Sequence, residues 1–455
     1  MRKLWFSLRA ICANFYAKVI GRKFVRNVGV LTIANFVGAG LSFAQGILIA
    51  RWLGPELYGV TALVMTYPGL VFTFFDARSS EASVKYLSEF HAQGDRDRVL
   101  AMCKLGYLID LGIACIAFLT ILFTATWASE AIAHRPEAVG LIVIYAAAFI
   151  PRGLVGTSRA VLVTLGKFPL IAWIETFTTF LRVMLVLGLA SAGWQVAGVV
   201  WGNTIAMAVM GLVKGAIGWL MIYRHWGAFL TQGKLQHLKQ QSQEIFKFLF
   251  YNNITALIGT IPKQIDTLLL GYFRSPLEVG YYQLAKKLSS IVSYFVGPLQ
   301  SVTYPELSRL SGLGKISAIQ NKVKKLAFQI GIPLGLTVLA FTLILPRGLT
   351  IFFGNEYQPA TQAIQLLFLG AAIWLTFFWL KPVFMATGEM KFWASNSALV
   401  VILTLAGFAM AIPLGGYVGL AWVWLITGGL GGHLFATIYL LYKWKNATAV
   451  PGELK

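Results

Sequence analysis

Apolar segments long enough to cross a bilayer follow one another from about Val28 to Tyr442, with almost no soluble sequence between them. Hydrocarbon offers no water to an exposed N–H or C=O, so such segments fold as helices whose backbone bonds close internally. Only 12% of the residues are charged and mean hydropathy is +0.71, which excludes a soluble domain of this length. The chain therefore reads as an all-α polytopic membrane protein. Its 455 residues fit about twelve crossings of about 20 residues each, with short connections. The hydrophobic runs place them at 29–50, 57–78, 105–127, 138–158, 168–190, 194–223, 248–272, 279–303, 326–345, 361–381, 392–413 and 416–442.

The net charge of +21 would suggest nucleic acid in a soluble protein. Here the basic residues collect in alternate connections, which sets topology instead and puts both termini in the cytoplasm. At the N-terminus, Leu4, Leu8, Ile11, Phe15 and Val19 recur at helical spacing among basic residues, with no small-residue cleavage site. Residues 1–27 are expected to form an amphipathic helix on the cytoplasmic face. Cys12, Cys103 and Cys115 make neither a metal pattern nor a disulfide framework, and the last two read as small packing residues. The five histidines are scattered, and no Gly-rich phosphate loop occurs. Neither metal nor cofactor nor nucleic acid is expected. Asp95-Arg96-Asp97 reads as a solvated turn, and Glu81 is expected to pair with Lys85 on the surface.

An internal repeat emerges at an offset of roughly 220 residues. Pro55 and Gly59 match Pro276 and Gly280. Leu87, Ser88 and Gly94 match Leu307, Ser308 and Gly314. Gly166 matches Gly388, and Gly193 and Val196 match Gly415 and Val418. Each half holds an even number of crossings, so the halves share one orientation. They are expected as two six-helix bundles, 28–224 and 248–442, related by a pseudo-twofold axis along the membrane normal. Residues 225–247 form the linker and 443–455 the cytoplasmic tail.

Polar side chains within the crossings should face a cavity or a partner, because burying them in lipid is costly. In the first crossing Asn35, Gly38, Ser42 and Gln45 form one helical stripe. The repeat carries Gly38, Ser42 and Gln45 onto Gly259, Lys263 and Asp266, which share a stripe with Asn252 in the seventh crossing. The first and seventh crossings are thus inferred to line one water-accessible cavity. The eighth adds Tyr282, Lys286, Ser289, Ser293 and Gln300, and the second adds Thr61, Pro68 and Asp76. Glu175 and Arg182 lie seven apart on the fifth, and Arg152 sits beside Pro151 in the fourth. Two readings stay open for the charged pairs. Lys263 and Asp266 either neutralise each other or face the cavity. Glu175 and Arg182 either pair through a neighbouring helix or act separately. Arg152 has no acid near it in sequence and is the best single candidate for holding an anion. Asp76, Glu175 and Asp266 are the candidate sites for a coupling H+ or Na+.

Three blocks carry a family resemblance: Ala50-Arg51-Trp52-Leu53-Gly54-Pro55-Glu56-Leu57-Tyr58-Gly59, then Asp266–Gly271 with Val279-Gly280-Tyr281-Tyr282, then Tyr304-Pro305-Glu306-Leu307-Ser308-Arg309. With them the chain resembles the flippases of the multidrug/oligosaccharidyl-lipid/polysaccharide (MOP) superfamily, in the polysaccharide-transporter (Wzx-like) branch. That resemblance implies two bundles that open alternately to each side of the bacterial inner membrane. It implies export of a polyprenyl-pyrophosphate-linked oligosaccharide, with polysaccharide polymerase and assembly proteins as further partners beside the membrane lipids. It also implies a basic cavity that binds pyrophosphate or acidic sugars, a role carried to Arg152, Arg182, Lys263 and Lys286, with Asn35 and Gln45 lining the same space.

Rival functions make different demands. A cation-coupled multidrug antiporter of the same superfamily would favour unpaired carboxylates, whereas the first crossing has no acid and bases are at least as common as acids in the membrane. A lipid-II-type flippase usually carries two further helices. A glycosyltransferase, polymerase or ligase would need catalytic side chains on substantial external loops, and the external loops here are short.

Overall fold

The computed structural model describes residues 22–76 and 79–449. The surface helix expected over 1–27 falls almost wholly outside them, as does the end of the 443–455 tail. Among the described residues all regular structure is helical. Large apolar side chains stand exposed along the helices, Phe123, Trp173, Leu343 and Leu414 among them, as a lipid-facing surface requires and a soluble one avoids.

Among the described residues seven helical stretches are long and apolar enough to cross a membrane: Ala34–Phe75, Arg96–Ala131, Pro136–Thr164, Phe168–His225, Ile316–Pro346, Asn355–Ala386 and Met390–Asn446. Three of them, at 42, 58 and 57 residues, far exceed one crossing. Each of these is broken where a glycine takes positive φ: Gly54 (φ 70), Gly193 (φ 89) and Gly416 (φ 53). An L side chain pays a steric penalty in that region, so these glycines permit turns too tight to separate the helices on either side. The expected seventh crossing is not one helix. Ser242–Thr260 ends and Pro262–Phe273 begins with Pro262 in its first turn. Proline lacks the N–H a continuing helix would need there. The predicted stripe from Asn252 to Asp266 is therefore interrupted at Ile261.

The chain divides into two compact units, and the division runs through helices. Unit 1 comprises 1–49, 68–126 and 139–257; unit 2 comprises 50–67, 127–138 and 258–455. In unit 1, Ser79–Ala92 packs Tyr86, Leu87 and Phe90 into an apolar cluster with Leu100, Tyr107, Trp226, Phe229 and Ile245. Lys85 at this cluster is bonded to Glu244 (3.1 Å), not to Glu81 as expected, because Tyr86 and Phe248 seat the lysine against the chain that carries Glu244. The hydrogen bond from Lys85 holds the Glu244 carboxyl below the usual carboxylate range. The Asp95-Arg96-Asp97 segment is tied down. Asp95 pairs with Arg98 at 2.7 Å, and Arg96 donates to Trp226 O and Gln232 Oε1. Cys103 is buried, whereas Cys115 stands on an exposed helix face.

Unit 2 contains a reciprocal contact between positions matched by the repeat. A Cβ added to Gly59 would stand 1.8 Å from Pro276 O, and one added to Gly280 would stand 1.8 Å from Pro55 O. Only glycine allows these two helix ends to touch backbone to backbone. Around them Tyr357 donates to Ala50 O (3.0 Å), His134 Nε2 lies 2.8 Å from Gly271 O, and Arg135 pairs with Glu56.

Candidate functional site

Unit 1 gathers two arginines. Arg152 ends the short helix Phe149–Arg152 and is exposed. Its guanidinium lies 5.4 Å from the ring centres of both Phe72 and Phe149, and Nη1 is 3.8 Å from Met207 Sδ. Aromatic faces stabilise such a cation without neutralising it. Arg182 projects from Phe168–Leu189 and donates to Ser42 Oγ, whose own proton goes to Gly38 O at 2.7 Å. Gly38 brings its helix against Thr179, at 3.7 Å from the place of a Cβ, and so sets Ser42 beside Arg182. Both guanidiniums lie within electrostatic reach of the Tyr145 hydroxyl. Among the described residues neither arginine forms an ion pair. Rings hold one guanidinium and a hydroxyl the other, and guanidinium is the group that meets multi-oxygen anions in a planar, two-pronged way.

Glu175, on the same helix as Arg182, takes no part in that cluster. It accepts from Lys214 at 2.7 Å, with Arg159 at 3.9 Å. Lys214 is 2% exposed. The open choice for Glu175 and Arg182 thus resolves to separate environments, with Lys214 as the carboxylate's partner.

Unit 2 presents a carboxylate instead. Asp266 is fully buried in Pro262–Phe273. Lys286 Nζ lies 2.8 and 3.0 Å from its two oxygens, Tyr282 donates at 2.8 Å and Trp424 Nε1 at 3.3 Å. Trp424 opens a π-helical stretch, Trp424–Gly431, a local widening often found at functional sites. Lys286 also bonds the main-chain oxygen of Lys263. Asp266 is therefore neutralised by Lys286 and not by Lys263, three residues away. The Lys263 side chain is exposed, and among the described residues it forms no ion pair. The cluster of Lys263, Asp266 and Lys286 keeps one net positive charge.

The remaining predicted residues divide. Asn35 is exposed on the first helix. Gln45 is buried, and its Oε1 has no hydrogen-bond partner. Asp76 closes its helix, and its carbonyl accepts from Asn253. Sequence reasoning missed Lys214, Tyr145, Trp424 and Asp110. Asp110 accepts from Ser79 Oγ, from Thr157 N at 3.1 Å and from Thr157 Oγ1 at 2.8 Å. An acid inside the apolar run 105–127 was a visible signal, but it belonged to no stripe.

The profile of the polysaccharide biosynthesis protein family matches residues 24–311. The chain belongs to that family. It is 22% identical over 354 residues to the probable low-salt glycan biosynthesis flippase Agl15 of Haloferax volcanii, covering 74% of this chain and 66% of that protein, slightly under two thirds. It is 22% identical over 369 residues to the inner membrane protein YghQ of Escherichia coli, covering 77% and 98%. Among solved structures, the lipid II flippase MurJ in an inward closed conformation superposes with a TM-score of 0.69 at 16% identity, over 90% of this chain and 87% of that one. An inward-facing multidrug resistance MATE family transporter of the MOP superfamily gives 0.70 at 14%, over 90% and 96%. Those identities speak for the fold, which is that of the MOP transporters. This member of the polysaccharide biosynthesis family is a multi-pass membrane protein.

Proposed function

We propose that this family member is a flippase that carries a polyprenyl-pyrophosphate-linked oligosaccharide, a polysaccharide or O-antigen repeat unit, from the inner to the outer leaflet. The observation that carries this reading is the Arg152–Arg182 cluster around Tyr145, two cations with no described acid on them. A diphosphate cannot cross hydrocarbon unaided, while its polyprenyl tail can stay in lipid. Guanidiniums held by rings and a hydroxyl replace the hydration the head group gives up. An inside-negative potential favours outward movement of the anion by about 2.3 kcal/mol per charge per 100 mV. Asn35, Gln45, Lys263 and Lys286 take secondary roles along the basic path toward the sugars.

The proposed architecture is twelve crossings in two six-helix bundles, 28–224 and 248–442, joined by 225–247, with both termini cytoplasmic in an inner membrane. Glycine turns at 54, 193 and 416, and the helices Ser242–Thr260 to Ser293–Gly312 that lie outside the seven most apolar stretches, support that count. Transport proceeds by alternating access, and the Gly59–Gly280 contact must part in one of its states. Polymerase and assembly proteins receive the exported unit.

The test is transport in vesicles holding the purified protein. A fluorescent polyprenyl-pyrophosphate oligosaccharide should gain protection from a membrane-impermeant quencher, and Arg152→Ala with Arg182→Ala should abolish the gain. Lipid II movement would favour a lipid-II-type flippase. Dye efflux without movement of either lipid would reject the proposal in favour of a cation-coupled multidrug antiporter, the reading that the MATE-like fold keeps available.

A further inference from the structure

The acids within the crossings are not treated alike. Glu175 has Lys214 at 2.7 Å and Asp266 has Lys286 at 2.8 Å. Asp110, in Arg96–Ala131, has neither. Among the described residues no lysine or arginine pairs with it. The charged group described within its electrostatic reach is Asp76, of the same sign, and the Tyr107 phenol is the other titratable neighbour. Three hydrogen bonds from Ser79 and Thr157 reach its two oxygens, but they bring no positive charge to it.

A second observation lies beside it. Ser83 is fully buried, and its Oγ has no hydrogen-bond partner. That oxygen and Thr157 Oγ1 converge over Gly106, at 3.0 and 2.5 Å from where a Cβ would stand. Gly156 lets the carboxylate pack against its helix, with Asp110 Oδ2 2.9 Å from where a Cβ would stand. The cluster thus offers a carboxylate, two bonded hydroxyls and one orphaned hydroxyl. Hard oxygens of this kind suit a small cation without a d-electron preference.

We propose that the Asp110 cluster, with Ser79, Ser83 and Thr157, binds an exchangeable small cation, a proton or Na+. Binding neutralises the carboxylate and engages the Ser83 hydroxyl. Service as the coupling ion rests on the transporter reading; occupancy of the cluster does not.

The experiment is equilibrium binding of radiolabelled Na+ to the purified full chain in detergent, at neutral and acid pH, with K+ and choline as competitors. Infrared difference spectra are recorded on the same samples for a titrating carboxylic acid. Saturable Na+ binding that protons displace, lost in Asp110→Asn, supports the Na+ arm. A titrating carboxylic-acid signal absent from Asp110→Asn, without Na+ binding, supports the proton arm. Ser83→Ala gives up no hydrogen bond, so a purely structural cluster would not register it. It should weaken Na+ binding roughly tenfold, or move the titration midpoint, while Asp97→Asn on the exposed first turn changes neither. Wild-type protein showing neither signal, or Ser83→Ala behaving as wild type, overturns the proposal. No glycan is present in this assay, so its outcome is independent of the flippase test.

Discussion

The charged clusters of the two units solve the same problem in opposite ways. In unit 1, Arg152 and Arg182 keep their charge available: rings, a hydroxyl and a phenol surround them, and the nearby acid Glu175 is occupied by Lys214. In unit 2, Lys286 spends its charge on Asp266, which Tyr282 and Trp424 also satisfy. The two clusters lie on helices the repeat does not match, and among the described residues the arginines have no acid while Lys286 has Asp266. Number of cations is therefore a poor guide to anion binding; what matters is whether a carboxylate has already claimed them.

The largest expected effect breaks the contrast from the unit 1 side. Removing both Arg152 and Arg182 deletes two charge-assisted contacts, and vesicle transport should fall by about 100-fold or more. The melting temperature should barely move, because neither arginine is needed to satisfy a buried acid. Loss of folding rather than transport would show the cluster to be structural.

The unit 2 side predicts the reverse pattern. Lys286→Ala leaves the fully buried Asp266 uncompensated and should destabilise the protein by about 3–5 kcal/mol. Adding Asp266→Asn should restore most of that loss. Lys214→Ala with and without Glu175→Gln gives the matching cycle in unit 1, read by thermal unfolding. If the single lysine variants are as stable as wild type, the pairing account fails.

The reciprocal glycine contact offers a sharper comparison, because its halves are geometrically equal. Gly59→Ala and Gly280→Ala each drive a Cβ into a backbone carbonyl. Each should cost about 1–3 kcal/mol, with losses of similar size. A marked inequality in unfolding temperature would argue against a twofold arrangement there.

The smallest effect concerns a surface pair. The hydrogen bond from Lys443 holds the Glu389 carboxyl below its ordinary value. Its folded pKa is the depressed one, so the stabilisation is present above the usual Glu range, about 4.3. It is lost as pH falls through the folded value. Glu389→Gln should therefore lower neutral stability slightly, leave stability in acid nearly unchanged and so flatten the acid side of the profile.

Some of the site could be read before any coordinates. Arg152 stood out because no acid lay near it in sequence, and it is indeed without an ion pair among the described residues. Asp266 and Lys286 were both marked, but their partnership was not, since they lie twenty positions apart on separate helices, Pro262–Phe273 and Pro276–Ser289. Lys214 went unseen because it sits within an apolar helix with its carboxylate 39 residues away. Asp110 escaped for a similar reason: Ser79 and Thr157 approach it from other helices, 31 and 47 residues distant.

By itself the sequence determined an all-helical membrane protein, the repeat, the family and the stock of intramembrane charges. Those properties are sums over neighbouring residues, and hydrophobicity, periodicity and short motifs are all local. Only the tertiary structure decided which acid each base neutralises, where Pro262 interrupts a stripe and which glycines let two backbones touch. Coulomb energy in a low dielectric depends on separation in space, and the folded chain sets that separation without regard to order along the sequence.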